Sequence, residues 1–411
     1  CRPSPVRRRV RERRRLRAAT AWLTLGGVLA AAGACTPKDA DLTNPPGSTV
    51  VPPVGTRAPV VADLADIAPE LERTVADTVA ELGVPGAAVL VVRGGQRWSD
   101  TVGVTELGAD GSAVTEGPDG TAVTEGLSWP LRSITKSFTV TLVLQLVDEG
   151  VVDLDDVIGN WVQGVPAGDR VTIRQLADMT SGLPEYTNEA FIADFSADPE
   201  RVFTVDELLA YAASDPMQFE PGAERVYTNT NTLLLGRVVE VATGQSFAEA
   251  LRTRLSDPLD LTDTVYPTDP SQWSTDAVGY APDADAGGEL APQPVNFSVF
   301  GPAGAMIGTI EDLARWGRVL ADGSLLDPDT QSERVQGGAL DEGPTYDRYA
   351  LGIGEIDGWW GHTGEGFGFT ALVMHDNATD TTVAIAMNAS QLAEHPPTVL
   401  FTRLAPLLVG T

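Results

Sequence analysis

A helix that is apolar nearly all the way round has to be buried, and one stretch of this chain reads that way. From Phe138 through Val140, Leu142, Val143, Leu144 and Leu146 to Val147 the side chains are apolar on almost every face, and Gly150 is placed to stop the helix. Any domain this chain forms must be built around that segment. Its first turn then carries two polar side chains inward, Ser133 and Lys136, in the run Ser133-Ile134-Thr135-Lys136. Residues three apart on a helix share a face, so the amine reaches the hydroxyl, and the helix N-terminus favours developing negative charge. Lysine is rare here: the 28 Lys and Arg residues include only Lys38 and Lys136 as lysines. An ammonium can lose its proton once desolvated, whereas a guanidinium cannot. Ser133 and Lys136 therefore read as nucleophile and base.

At 411 residues, 43% hydrophobic and 21% charged, the chain can bury a large core in one large or two interleaved domains. Residues 1–34 are a separate matter. They hold nine arginines and one glutamate, then an apolar stretch from Ala18 to Ala32, and Ala32-Gly33-Ala34 before Cys35. We read an export signal there. The position of Cys35 resembles that of the lipidated cysteine of a bacterial lipoprotein, which would attach the protein to the outer face of the cell membrane. An ordinary cleaved signal, an uncleaved anchor helix and twin-arginine export through Arg13-Arg14-Arg15-Leu16 stay open as alternatives. With Cys1 the only other cysteine, a structural disulfide within the mature chain is excluded by counting. The formal net charge of −29 repels nucleic acid, which is discarded as a partner along with anionic lipid surfaces.

Residues 35–62, with six prolines among Thr, Ser and Gly, read as an extended tether, and 63–411 as the folded domain. Leu64, Ile67, Leu71, Val75, Val79 and Leu82 recur at helical spacing, and Gly86 to Arg93 reads as a buried strand. A nine-residue unit repeated between Ala109 and Gly126 reads as a lengthened surface loop with Asp-Gly turns. Short helical patterns, as in Val171–Met179, Val205–Ala213 and Asn231–Ala242, occupy 151 to about 300. Beyond them come a helix from Ile310 to Leu320, strand-like runs Tyr349–Ile353, Gly368–His375 and Thr382–Met387, and a closing helix near Pro397–Leu408. Strands at both ends with helices between predict one sheet assembled from distant segments.

Two further motifs follow the serine in order: Tyr227-Thr228-Asn229, and His362-Thr363-Gly364 beside Trp359-Trp360. With these, and with segments such as Thr180-Ser181-Gly182-Leu183-Pro184 and Gly301-Pro302-Ala303-Gly304, the chain resembles the penicillin-recognising serine hydrolases. The likeness is to class C β-lactamases and, above all, to secreted actinomycete-type D-alanyl-D-alanine carboxypeptidases. The resemblance implies an α+β, β-lactamase/transpeptidase-like fold: an antiparallel sheet flanked by helices, plus a mainly helical subdomain, with the site in the crevice between them. It also implies roles. Ser133 Oγ attacks a carbonyl, Lys136 and Tyr227 accept its proton and pass it to the leaving group, and an acyl-enzyme forms. Backbone N–H groups of Ser133 and Glu365 make the oxyanion hole. Asn229 binds the acyl-side amide, while His362 and Thr363 line the leaving-group side with Gly364 and help relay protons, which makes His362 a catalytic residue in this reading. With three histidines in the chain, no metal and no cofactor is expected.

The sequence departs from the carboxypeptidase pattern at two places. Enzymes of that type resemble one another in holding the substrate's terminal carboxylate with an arginine on the strand before His-Thr-Gly and a threonine after it. Here those regions read Gly354-Glu355-Ile356 and Glu365. A like charge within a few ångströms in a partly dry cleft costs on the order of 1 kcal/mol or more. A D-alanyl-D-alanine carboxypeptidase-like peptidase, an esterase, amidase or β-lactamase on the same site, and a catalytically silent binding lipoprotein are all compatible with the residues. Retention of the three motifs favours the enzymes. The partner is then a small-molecule or peptide substrate.

Overall fold

The computed structural model of the chain describes residues 62–108, 122–293 and 296–409. The export signal, Cys35, all but the last residue of the tether and most of the duplicated unit 109–126 lie outside the described residues.

Helix α1 (Leu64–Leu82) starts where the Asp63 carboxylate accepts the N–H of Ala65 and ends at Gly83, whose φ of 65° admits no side chain cheaply. It leads into strands β1 (Gly86–Arg93) and β2 (Gln96–Gly103). The rest of the sheet comes from the far end of the chain: β3 (Arg348–Tyr349), β4 (Gly354–Ile356), β5 (Trp359–Gly366), β6 (Phe369–Asp376) and β7 (Thr381–Met387). The order is β2-β1-β7-β6-β5-β4-β3, antiparallel throughout, with Val89 of β1 opposite Ile385 of β7 and Thr363 of β5 opposite Leu372 of β6.

Four further helices fix the site: α2 (Thr135–Asp148), α3 (Asn229–Thr243), α4 (Ile310–Asp322) and α5 (Pro396–Val409). Successive strand residues face opposite sides. Ala87, Val89 and Val91 join the core of α1 and α5, with Leu71, Val75, Leu400 and Leu404, while Ala88 and Leu90 join the core of α2 and α4. Because both faces are covered, β1 keeps no polar face. That is why it reads as an unbroken apolar run. Helix α2 is buried at every residue from Thr135 to Leu144, and its Phe138 ring stacks on Trp316 of α4 with centroids 3.6 Å apart. Between Val151 and Phe300 lie helices Ile173–Ala177, Glu189–Ala197, Val205–Ala213, α3 and Phe247–Leu251, with one hairpin of Tyr280–Asp283 and Glu289–Pro292. The architecture is the expected α+β one. Among the described residues no helix is long and apolar enough to cross a membrane.

Two local expectations are corrected. Ser133 does not open the long helix but sits in a 3-10 turn, Arg132–Ile134, that precedes it. The run Tyr349–Ile353 is not one strand. Only Arg348–Tyr349 pairs, and the chain then turns at Gly352, whose φ is 65° and where a Cβ would stand 2.5 Å from that of Val140 on α2. Close approach of the chain to the central helix interrupts the ladder there.

Candidate active site

The site begins at the turn before α2. Leu131 N–H bonds to Met306 O (2.8 Å), and Ile134 N–H to Leu131 O (3.2 Å), so the chain around Ser133 is anchored on both sides. Ser133 is half-buried, whereas Lys136, one turn on, is 0% exposed. Lys136 Nζ stands 3.0 Å from Ser133 Oγ, 2.6 Å from Asn229 Oδ1 and 2.8 Å from Ala303 O. Two of those neighbours can only accept. A neutral amine has two N–H bonds and one lone pair, so with the hydrogens given to Asn229 and Ala303 the lone pair faces the Ser133 hydroxyl. Burial pulls Lys136 down to about 7, against the opposing pull of the Glu185 carboxylate, so both protonation states are populated near neutrality.

Glu185 holds this arrangement together. One of its oxygens, Oε2, accepts both the backbone N–H of Asn229 (2.7 Å) and its side-chain Nδ2–H (3.1 Å). The first bond places a carboxylate at the N-terminus of α3, whose N-cap residue Thr228 offers no side-chain cap. The second fixes the Asn229 amide with its oxygen toward Lys136. Desolvation raises the Glu185 pKa, opposed by the Asn229 N–H and by Lys136. No sequence motif singles out Glu185, although it directly follows Leu183-Pro184.

Tyr227 lies just before Thr228, the N-cap of α3, its ring centroid 5.0 Å from Lys136 Nζ. Its hydroxyl is buried without a well-formed hydrogen bond. Burial, with Tyr349 and Tyr346 adding to it, raises its pKa well above the usual phenol value, and Ser133 is the neighbour that draws it back. Tyr227 is therefore a neutral phenol at physiological pH, able to hand a proton on but not to stand as a phenolate.

Strand β5 forms the facing wall. Gly364 lies so close to the serine turn that a Cβ there would be 2.3 Å from Leu131 O and 3.2 Å from Ser133 N. His362, on the same strand, is 0% exposed and caged by tyrosines. Its Nδ1–H donates to Thr363 O (2.6 Å), so Nε2 accepts from the Tyr349 hydroxyl (3.1 Å). Burial pushes its pKa down to about 3, and it is neutral. Neither ring nitrogen reaches Ser133, Lys136 or Tyr227, and the Tyr227 ring stands 6.4 Å from the imidazole. The Thr363 hydroxyl is likewise engaged, 2.6 Å from Tyr346 OH. The structure thus brings Ser133, Lys136, Tyr227, Asn229 and Gly364 into one cluster and sets His362 and Thr363 behind it in a tyrosine network.

The two acidic departures are better compensated than the sequence reading expects. Glu355 pairs with Arg348, whose guanidinium stands 5.2 Å from the Trp360 ring. Glu365 is exposed, its carboxylate accepting Gln391 N–H at 2.7 Å; burial lowers the pKa of nearby His395, and the Glu365 charge opposes that shift. Two histidines without evident sequence partners acquire them: His395 reaches Gly364 O (3.2 Å) and Thr398 Oγ1 (2.8 Å), and His375 reaches Thr382 Oγ1 (2.8 Å). Among the described residues no group of three His, Cys, Asp or Glu side chains gathers as a metal site would require.

A serine beside a buried lysine of near-neutral pKa, in a turn packed against β5 and β6 of an antiparallel sheet, defines the chemistry of a penicillin-recognising serine hydrolase. Residues 71–404 match the family described as Beta-lactamase, and the chain belongs to that family. It is similar to penicillin-binding protein 4 of Amycolatopsis lactamdurans, at 33% identity over 251 residues, 58% of this chain and 60% of that protein. It is also similar to penicillin-binding protein 4* of Bacillus subtilis (strain 168), at 30% identity over 136 residues, 33% of this chain and 29% of that one. The chain thus spans less than two thirds of the length of either curated relative. A D-stereospecific amidohydrolase from Streptomyces sp. superposes with a TM-score of 0.67 at 29% identity, covering 84% of this chain and 98% of that one.

Proposed function

We propose that this protein hydrolyses an amide or ester through an acyl-enzyme on Ser133, and that its substrates carry a free amine beside the scissile carbonyl, as a D-amino acid amide does. In this reading Ser133 Oγ bonds to the carbonyl carbon while neutral Lys136 takes the hydroxyl proton. Tyr227 gives its phenol proton to the leaving amine or alkoxide as its bond to carbon breaks and takes one back from the Lys136 ammonium, so no phenolate is left and Lys136 is neutral again. Water then releases the acid by the reverse relay. His362 and Thr363 act by holding Tyr346 and Tyr349 behind Tyr227.

The observation that carries the amine preference is the seat of Glu185. In the resemblance Asn229 faces the acyl side of the substrate, and here the amide N–H on that side already serves a carboxylate. Ser133, Asn229 and Glu185 are all partly exposed, so a substrate group can reach them. When Lys136 gives up its proton, the Lys136–Glu185 pair is left with a net negative charge in a poorly hydrated site. A substrate ammonium restores the balance, and an acylated nitrogen does not. The Streptomyces amidohydrolase, D-stereospecific by its name, is consistent with this substrate class.

The test compares D-phenylalanine amide with its N-acetyl derivative. The wild type should favour the free amine by about tenfold or more in kcat/KM, the scale of one partly desolvated charge pair. Glu185→Gln should erase most of that preference by slowing the free-amine substrate alone. A wild type that prefers the acetylated amide, or a Gln variant that keeps the preference, defeats the reading.

A second reading is a D-alanyl-D-alanine carboxypeptidase; both curated relatives are named penicillin-binding proteins, which is consistent with a serine that penicillin acylates. Intact-mass spectrometry with benzylpenicillin separates the cases. A lasting adduct absent in Ser133→Ala supports that second reading, drug consumed without adduct indicates a β-lactamase, and no reaction leaves the amidase. Export and anchoring of the protein by lipidated Cys35 belong to the same proposal and rest on the sequence of residues 1–35.

A further inference from the structure

Arg132, the residue before the nucleophile, is held at visible expense. Its φ is +51°, the left-handed region that a side chain disfavours. Its side chain is 0% exposed, and the two terminal guanidinium nitrogens have no hydrogen-bond partner. Three aromatic rings surround it instead, with the guanidinium carbon 4.5 Å from the Phe300 centroid, 5.1 Å from Phe297 and 5.6 Å from Phe369. A methionine would fill such a pocket without leaving a buried charge short of partners. What arginine adds is one directional bond, Nε–H to Gly366 O at 2.8 Å, and a cation, which persists at neutral pH although burial draws its pKa down to about 9.

Both ends of that bond lie next to groups the reaction uses. Arg132 is bonded to Ser133, and Gly366 follows Glu365, the residues whose backbone N–H groups would form the oxyanion hole. Gly366 is also the last residue of β5, at the mouth of a two-residue turn, Phe367–Gly368, with φ of 46° and 81°. The strand end that carries one donor is thus clamped to the turn that carries the other.

We propose that Arg132 is a positioning residue for the oxyanion site, its grip on Gly366 O fixing the distance between the Ser133 and Glu365 N–H groups while its charge lies beside the point where the oxyanion develops. This rests on the serine-hydrolase reading above.

The test uses Arg132→Met, which keeps bulk, and Arg132→Lys, which keeps charge but not the Nε–H geometry. Each is measured for kcat, KM, thermal unfolding and affinity for a boronic acid that forms a tetrahedral adduct on Ser133. We expect Arg132→Met to lower kcat/KM about 30-fold through kcat and to weaken boronate binding by the same factor, with KM within about twofold and the unfolding temperature unchanged or raised. Arg132→Lys should fall between Met and wild type, and it serves alone if the Met variant does not fold. Activity within about threefold of wild type, or lost activity with boronate affinity intact, overturns the proposal. A wild type that binds no boronate and turns over no ester overturns instead the serine-hydrolase reading beneath it, and this inference with it.

Discussion

Lys136→Arg should lower kcat/KM for an amide substrate by about 10³-fold at pH 7 and fail to recover activity at any higher pH, on the scale of general-base catalysis combined with loss of nucleophile activation. The argument is one of lone pairs. Lys136 has three polar neighbours, and once it has lost a proton its hydrogens go to Asn229 Oδ1 and Ala303 O while its free pair faces Ser133. Arginine stays charged, donates from every nitrogen and offers no acceptor, so the serine proton has nowhere to go. The wild type carries its own signature. With the Lys136 pKa lowered to about 7, the reactive form is the deprotonated one, present above that value and lost tenfold per pH unit below it. Acylation rates should therefore fall toward acid pH with a midpoint near 7, and the residual rate of Lys136→Arg should show no such limb. Stopped-flow acylation from pH 5 to 9 decides it: a variant that regains activity at alkaline pH would mean that another group is the base.

What was legible beforehand follows from where physical chemistry writes itself into short stretches of sequence. Helix α2 had to be buried because it had no polar face, and β1 read as an unbroken apolar run because the sheet is covered on both sides. Helix Val205–Ala213 falls at its expected bounds because Thr204 and Glu207 form a capping box there. The pairing of β1 with β7 could only be guessed, since register between residues nearly 300 positions apart leaves no local mark. The same holds at the site. Ser133 and Lys136 are readable because they lie three positions apart, whereas Glu185 lies in a loop far from both and becomes meaningful only where the chain brings it to Asn229. The sequence motif places His362 facing the substrate. The partners that turn it inward, Tyr346 and Tyr349, sit on and just before a neighbouring strand fragment that the sequence presented as one longer strand. A missed turn at Gly352 thus went together with a missed network.

The second large effect lies at Gly364, where the approach of β5 to the serine turn leaves no room for a methyl group. A Cβ at that position would stand 2.3 Å from Leu131 O, 3.1 Å from Arg132 Cβ and 3.2 Å from Ser133 N. Two of these are main-chain atoms and the third is attached directly to the main chain, so no rotamer change relieves the contact and the strand must retreat. A retreat of about 1 Å is enough to cost on the order of 10²-fold where catalytic geometry is set, and loss of an oxyanion donor costs 10²–10³-fold. Gly364→Ala should accordingly lower kcat by about 10²–10³-fold while costing the fold only about 1–3 kcal/mol, as overpacking typically does. Gly126→Ala is the matched control, because nothing lies within 4 Å of a Cβ there, and it should leave both quantities near wild type. Thermal unfolding and single-turnover acylation on the two variants separate crowding at the site from general damage. An alanine at 364 that acylates at close to the wild-type rate would mean that the reacting carbonyl is not held between β5 and the Ser133 turn, and the crevice where the substrate binds would have to be sought elsewhere on the sheet.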